Sequence, residues 1–129
     1  MVHVGADVLF EEQSNLIRGK RLGVVTNQSA LLADARHLVD ALLERKDVQV
    51  VALFGPEHGI RGSSPDRKGV RNEVDRQSLL PVFSLFGKIV KPTKRMLEGV
   101  DVLLFDIQDV GARFYTYSTT LALTMEAAA

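Results

Sequence analysis

Glu57, His58 and Arg61 fall within five residues of one another, in the stretch Phe54-Gly55-Pro56-Glu57-His58-Gly59-Ile60-Arg61-Gly62. The stretch follows an apolar run, and Gly55 and Pro56 break that run with a turn signal. A carboxylate, an imidazole and a guanidinium then arrive interleaved with glycines, which permit close backbone approach. Such a loop can present charge to a ligand. The plain alternative is a solvated loop in which Glu57 pairs with Arg61. Two further polar clusters stand out, each after an apolar run. One is Thr26-Asn27-Gln28-Ser29. The other is Asp106-Ile107-Gln108-Asp109-Val110-Gly111-Ala112-Arg113, followed by Tyr115 and Tyr117. These too have structural readings. Asn27 and Ser29 can cap a turn, Asp106 can bind loop amides, Arg113 can pair with Asp109, and the tyrosines can be core aromatics with wet hydroxyls.

The elements that must position these clusters read as follows. A helix is expected over 6–17, ended by Gly19, and a short apolar strand over 21–26. A helix over 33–45 has Asp34 as its cap and Leu38, Val39, Leu42 and Leu43 as its buried stripe. A second strand spans 48–54. Residues 55–78 form a polar segment too long for an ordinary connection, hence functional or mobile. A weaker strand covers 80–86, a short helix 93–97 with Thr93 as cap, a strand 100–106, a loop 107–113 and a final Ala-rich helix 115–129. Continuous apolar strands with helical crossovers predict an α/β fold with a parallel sheet covered on both faces. Ligands then bind outside the carboxyl ends of the strands. All three clusters fall at such ends, and their convergence is stronger evidence for a site than any one of them.

Bulk properties narrow the class. The chain has 129 residues, 46% hydrophobic and 25% charged, with 16 basic and 16 acidic side chains. That fits one globular domain and gives no footprint for nucleic acid or a membrane surface. No cysteine is present, which excludes disulfides, thiolate metal sites and a Cys nucleophile. No apolar run reaches the roughly 18 residues of a membrane span. No basic-then-apolar segment opens the chain, so no secretory signal is expected in it. The last residues, Thr124-Met125-Glu126-Ala127-Ala128-Ala129, are helix formers with no stop signal; the native protein is expected to continue.

Absent motifs exclude other chemistries. Gly-x-Gly-x-x-Gly does not follow the first strand, no Walker A sequence occurs, and Gly-x-Ser-x-Gly is missing. His58, Asp106 and Asp109 could in principle hold a divalent ion. With His3 and His37 read as outside the rim, a His-rich zinc site is not expected, and neither metal nor cofactor is assigned.

Thr26-Asn27-Gln28, the stretch 54–62, Pro81-Val82-Phe83-Ser84-Leu85-Phe86-Gly87 and the run from Phe105 through Asp106-Ile107-Gln108-Asp109-Val110-Gly111-Ala112-Arg113 to Phe114-Tyr115-Thr116-Tyr117 resemble the NamZ-type exo-β-N-acetylmuramidase family, also catalogued as DUF1343. The similarity runs over nearly the whole chain, from Gly5 on. It implies a Rossmann-like three-layer N-terminal domain, a smaller C-terminal domain that this chain lacks, and a cleft between the two. It implies release of N-acetylmuramic acid from the non-reducing ends of peptidoglycan fragments, with a muramic acid saccharide as the partner. Family members are often exported. The fragment alone, residues 1–129, is expected to hold part of the site and to be inactive. One departure is Phe86, where relatives often have Tyr. Glycoside hydrolysis usually needs two carboxyl groups. Glu57 is the first choice for one, tuned by His58, and Asp106 or Asp109 for the other. Asn27, Gln28, Arg61, Gln108, Asp109, Arg113, Tyr115 and Tyr117 are the expected substrate contacts, Arg113 suiting the lactyl carboxylate. Rival readings are a non-catalytic sugar- or partner-binding module and a metal-dependent hydrolase.

Overall fold

The computed structural model describes residues 2–62 and 73–129. Five strands form one sheet: β1 (Arg21–Thr26), β2 (Gln49–Gly55), β3 (Glu73–Val74), β4 (Pro81–Ser84) and β5 (Val102–Asp106). Their order is β3-β4-β2-β1-β5. β1 pairs in parallel with both β2 and β5, and β2 with β4, while β3 runs antiparallel to β4. The chain therefore builds outward from β1 on one side through β2 and β4, then returns to place β5 on the other side. That reversal falls between β1 and β5, and doubly wound α/β sheets bind ligands at the carboxyl ends of the strands at such a point.

The burial of β1 explains its unbroken apolar sequence. Leu22, Val24 and Val25 are fully buried, Leu22 and Val24 in one core cluster and Val25 in the other. A strand covered on both faces needs apolar residues at every position rather than at alternate ones. The first cluster packs the sheet against α1 (Gly5–Glu11) and α2 (Leu38–Glu44), through Ala6, Leu38, Val39 and Leu42. The second joins Val25, Phe54 and Phe83 to Leu85, Met96 and Leu97. Over that face lies α3 (Tyr117–Ala128), with Ala127 and Ala128 facing Leu97 and Leu103 across a cavity of about 300 Å³. The result is three layers around a mostly parallel sheet.

Several sequence expectations are corrected. The first helix ends at Glu11, and Ser14–Leu16 is a separate 3-10 turn. The second helix starts at Leu38 rather than 33, and its cap is His37, whose Nδ1 accepts the Val39 N–H at 3.2 Å. Asp34 instead closes a turn by accepting the Arg36 N–H at 3.0 Å. Residues 33–37 cannot extend the helix because Ala35 sits at φ 66° and Leu31 bridges His37 in antiparallel fashion. Residues 93–97 form hydrogen-bonded turns, not a helix. The antiparallel edge strand β3 was not expected; two residues give no periodicity to read. The expectation of a long functional or mobile segment over 55–78 falls partly outside the described residues. The final helix buries Thr120 and Thr124 and leaves Leu121 and Met125 exposed, so its inward face is not the apolar one its Ala content suggests.

Candidate active site

Thr26 and Asp106 are register partners at the ends of β1 and β5. Parallel pairing therefore brings the residues after them out side by side. Asn27, 2% exposed, folds back as a turn: its Oδ1 accepts from the Ser29 amide at 3.0 Å and the Ser29 hydroxyl at 2.6 Å. The same Ser29 oxygen accepts the Gln108 amide at 3.0 Å, tying the loop after β5 to the loop after β1. With its Oδ1 engaged twice, Asn27 also lies near enough to Tyr117, the first residue of α3, for its side chain to act on the phenol's ionisation. Burial raises the Tyr117 pKa; the Asn27 side chain opposes this, and Tyr115 and Glu57 add to it. Glu57 is thus within electrostatic reach of Tyr117.

The Glu57 loop is knotted by backbone contacts. The Gly59 amide donates to the Pro56 carbonyl at 3.1 Å, and the Leu85 amide to the Gly55 carbonyl at 2.8 Å. A side chain at Gly55 would meet the Gly59 backbone at 3.1 Å, so it would have to push that backbone aside by a few tenths of an ångström. His58 follows at φ 74°, a left-handed conformation unusual for a residue with a Cβ. Such outliers persist where the surroundings enforce them, often at functional sites. Gly62 lies against Gln28: a Cβ there would come within 3.0 Å of the Gln28 side chain. The loops after β1 and β2 are therefore in contact. No hydrogen bond or ion pair to another described residue engages the Glu57 carboxylate.

Arg61 is engaged by protein carboxylates. It does not pair with Glu57. Its Nη1 and Nη2 donate to Asp40 of α2 at 2.9 and 2.7 Å, and its Nε and Nη2 approach Asp75 at 3.4 and 3.3 Å. Asp75 also accepts the Ser78 amide and hydroxyl, at 3.0 and 2.7 Å. The guanidinium fork expected to meet substrate is occupied by protein carboxylates, and it pins the Glu57 loop to α2 and to the turn after β3.

Asp106 is half-buried, and its carboxyl has no hydrogen-bond partner among the described residues. Burial pushes its carboxyl pKa up, and only the nearby His37 opposes this. It borders a cavity of about 270 Å³ with Gly5, Ala6, Leu9, Leu38 and Leu104. Asp109 differs: it is exposed, and its Oδ1 accepts the Gly111 amide at 2.6 Å, a loop-closing contact. Arg113 is exposed and makes no ion pair with Asp109. The rings of Tyr115 and Tyr117 stand 5.4 Å apart edge to face, and Phe114 lies 5.6 Å from Tyr115.

The reading of His37 as outside the rim is corrected. Its Nε2 is 2.9 Å from the Asn27 carbonyl oxygen, and the residue is buried. Nothing in sequence pointed there, because its partner is a backbone carbonyl. His3 lies apart and pairs with Glu11 at 3.4 Å. Among the described residues no three His, Cys, Asp or Glu side chains are grouped to hold a metal ion, and no helix is long and apolar enough to cross a membrane.

Comparison with known proteins follows the same lines. The family model described as exo-beta-N-acetylmuramidase NamZ, N-terminal, matches residues 22–129. The peptidoglycan beta-N-acetylmuramidase NamZ of Bacillus subtilis (strain 168) is 46% identical over 127 residues, which is 98% of this chain and 31% of that protein. Crystal structures of two DUF1343 family proteins from Bacteroides fragilis match with TM-scores of 0.87 and 0.78, at 43% and 34% identity, each over 98% of this chain and 31% of the other. The chain thus spans under a third of the length of these relatives. With the α/β architecture, the rim clusters and the family match in agreement, the chain belongs to the exo-beta-N-acetylmuramidase NamZ family, matching its N-terminal part.

Proposed function

We propose that this chain is the N-terminal portion of an exo-acting β-N-acetylmuramidase that releases N-acetylmuramic acid from the non-reducing ends of peptidoglycan fragments. The observation that carries the proposal is a pair of carboxyl groups, Glu57 and Asp106, at the sheet's ligand-binding end. Neither has a hydrogen bond or ion pair to another described residue. Carboxyls kept out of structural contacts are available for chemistry. The family match supports a peptidoglycan-derived substrate.

Asp106 is the better general acid. Its raised pKa keeps the proton over a wider pH range. It delivers that proton to the glycosidic oxygen as the bond to the anomeric carbon breaks. Glu57 acts at the anomeric carbon, as nucleophile or by activating water, with His58 beside it. Asp109, committed to the Gly111 amide, is the weaker candidate. Tyr115 and Tyr117 offer an aromatic wall for a sugar face, Asn27, Gln28 and Gln108 offer amide contacts, and the exposed Arg113 offers a fork for the lactyl carboxylate. The test is incubation of the full-length protein with a chromogenic β-muramide and with defined peptidoglycan fragments. Release of N-acetylmuramic acid is expected. Binding without release would replace this reading with a sugar-binding module, and loss of activity with chelator would favour the metal-dependent alternative.

A further inference from the structure

We infer that His37 is a positioning residue of this site: its Nε2–H holds the Asn27 carbonyl and so fixes the network that aims Tyr117 and the loop after β5. The inference rests on the function proposed above. Both ring nitrogens are committed. Nδ1 accepts the Val39 amide at 3.2 Å, and the Nε2–H points at the Asn27 oxygen 2.9 Å away. The imidazole is therefore held in one orientation by two backbone groups. One of these groups starts α2, and the other belongs to the residue that organises the site.

Asn27 passes this restraint on in two directions. Its Oδ1 fixes Ser29, whose hydroxyl takes the Gln108 amide. Its side chain also acts on the Tyr117 hydroxyl, at the start of α3. One ring thus links α2, the loops after β1 and β5, and the start of α3. Asp106 and Asp40 lie within electrostatic reach of the ring, so a proposed catalytic carboxyl faces the same group. A simple cap would need only Nδ1. Serine, threonine, asparagine or aspartate would provide that acceptor, and none of them would place a donor where Nε2 lies.

Two variants separate the roles. His37→Asn keeps an acceptor for the Val39 amide and removes the donor to Asn27. His37→Gln places a donor near the Nε2 position and gives up the cap. Hydrogen exchange on the full-length protein reads the network without any assay of function. His37→Asn is expected to speed exchange at the Gln108 amide by about tenfold while Val39 is unchanged. His37→Gln is expected to return Gln108 toward the parent rate. In the full-length protein, His37→Asn is expected to lower kcat by about tenfold with KM within about twofold, because misplaced groups weaken the reacting geometry more than binding. Parent-like exchange at Gln108 in His37→Asn overturns the inference whatever the activity. Parent-like kcat in an active full-length protein overturns it as well. If the full-length parent releases no muramic acid, the proposed function fails, and the exchange measurement still decides whether His37 positions the network.

Discussion

Asp106 shows how a residue can be costly to the fold and useful to a site. Its carboxyl pKa is raised by burial, so ionisation is harder in the folded chain than in the unfolded one. The linkage sign follows. Stability is greatest below the ordinary carboxylate pKa of about 4 and is lost as pH rises through the folded value. Asp106→Asn is therefore expected to raise Tm by a few degrees at neutral pH, with the gain vanishing in acid; thermal melts across pH check this. In the full-length protein the same change should lower turnover by roughly 100-fold or more if Asp106 is the acid. A variant less stable than the parent at pH 7 would contradict the burial argument. At this scale sequence was a good guide where residues follow strands. Asn27, Glu57, Asp106 and Tyr117 could be found because each follows an apolar run or its loop. His37 could not, since an imidazole bonded to two backbone groups leaves no pattern in side-chain types. The ion pairs of Arg61 were not legible for a related reason: its partners Asp40 and Asp75 are 21 and 14 residues away.

Among the elements, the Glu57 loop owes its position to the Arg61 clamp. The Arg61 side chain is 21% exposed and Asp75 only 6%. Removing the guanidinium leaves a buried carboxylate without its ion partner, a change that costs about 3 kcal/mol in such settings. Arg61→Ala is expected to lower stability by that amount in denaturant unfolding. Hydrogen bonds to Arg61 hold the Asp40 pKa below the ordinary carboxylate value against the cost of burial. At Asp75 burial pulls upward, and Arg61 and Ser78 together more than offset it. Both shifts are downward, so the clamp's contribution is present above about pH 4 and is lost as pH falls through the folded values. The parent and Arg61→Ala melting curves should therefore converge in acid. A gap that stays constant with pH would mean the clamp is not ionic. Strands were legible because burial on both faces forces continuous apolar runs. Helix limits were less so: α2 starts four residues after Asp34, where a turn with Ala35 at positive φ intervenes.

For the whole molecule, the strand order matters most. Placing β5 beside β1, opposite β2, brings the loops after β1, β2 and β5 to one end of the sheet. The parallel class was legible, but the order was not, because continuous apolar strands carry no record of their neighbours. Phe54, fully buried and 5.5 Å from the Phe83 ring, locks β2 to β4 beneath the Glu57 loop. Phe54→Ala should cost about 3–5 kcal/mol in denaturant unfolding. It should also loosen the loop above, read as faster hydrogen exchange at the Gly59 amide. One comparison decides whether Glu57 performs glycosidic chemistry on a muramic acid saccharide. The full-length parent and its Glu57→Gln variant are assayed side by side for release of N-acetylmuramic acid from a chromogenic muramide, with circular dichroism confirming the fold. Turnover in Glu57→Gln is expected to fall by roughly 100-fold or more with the fold intact. Near-parental turnover would remove Glu57 from the mechanism.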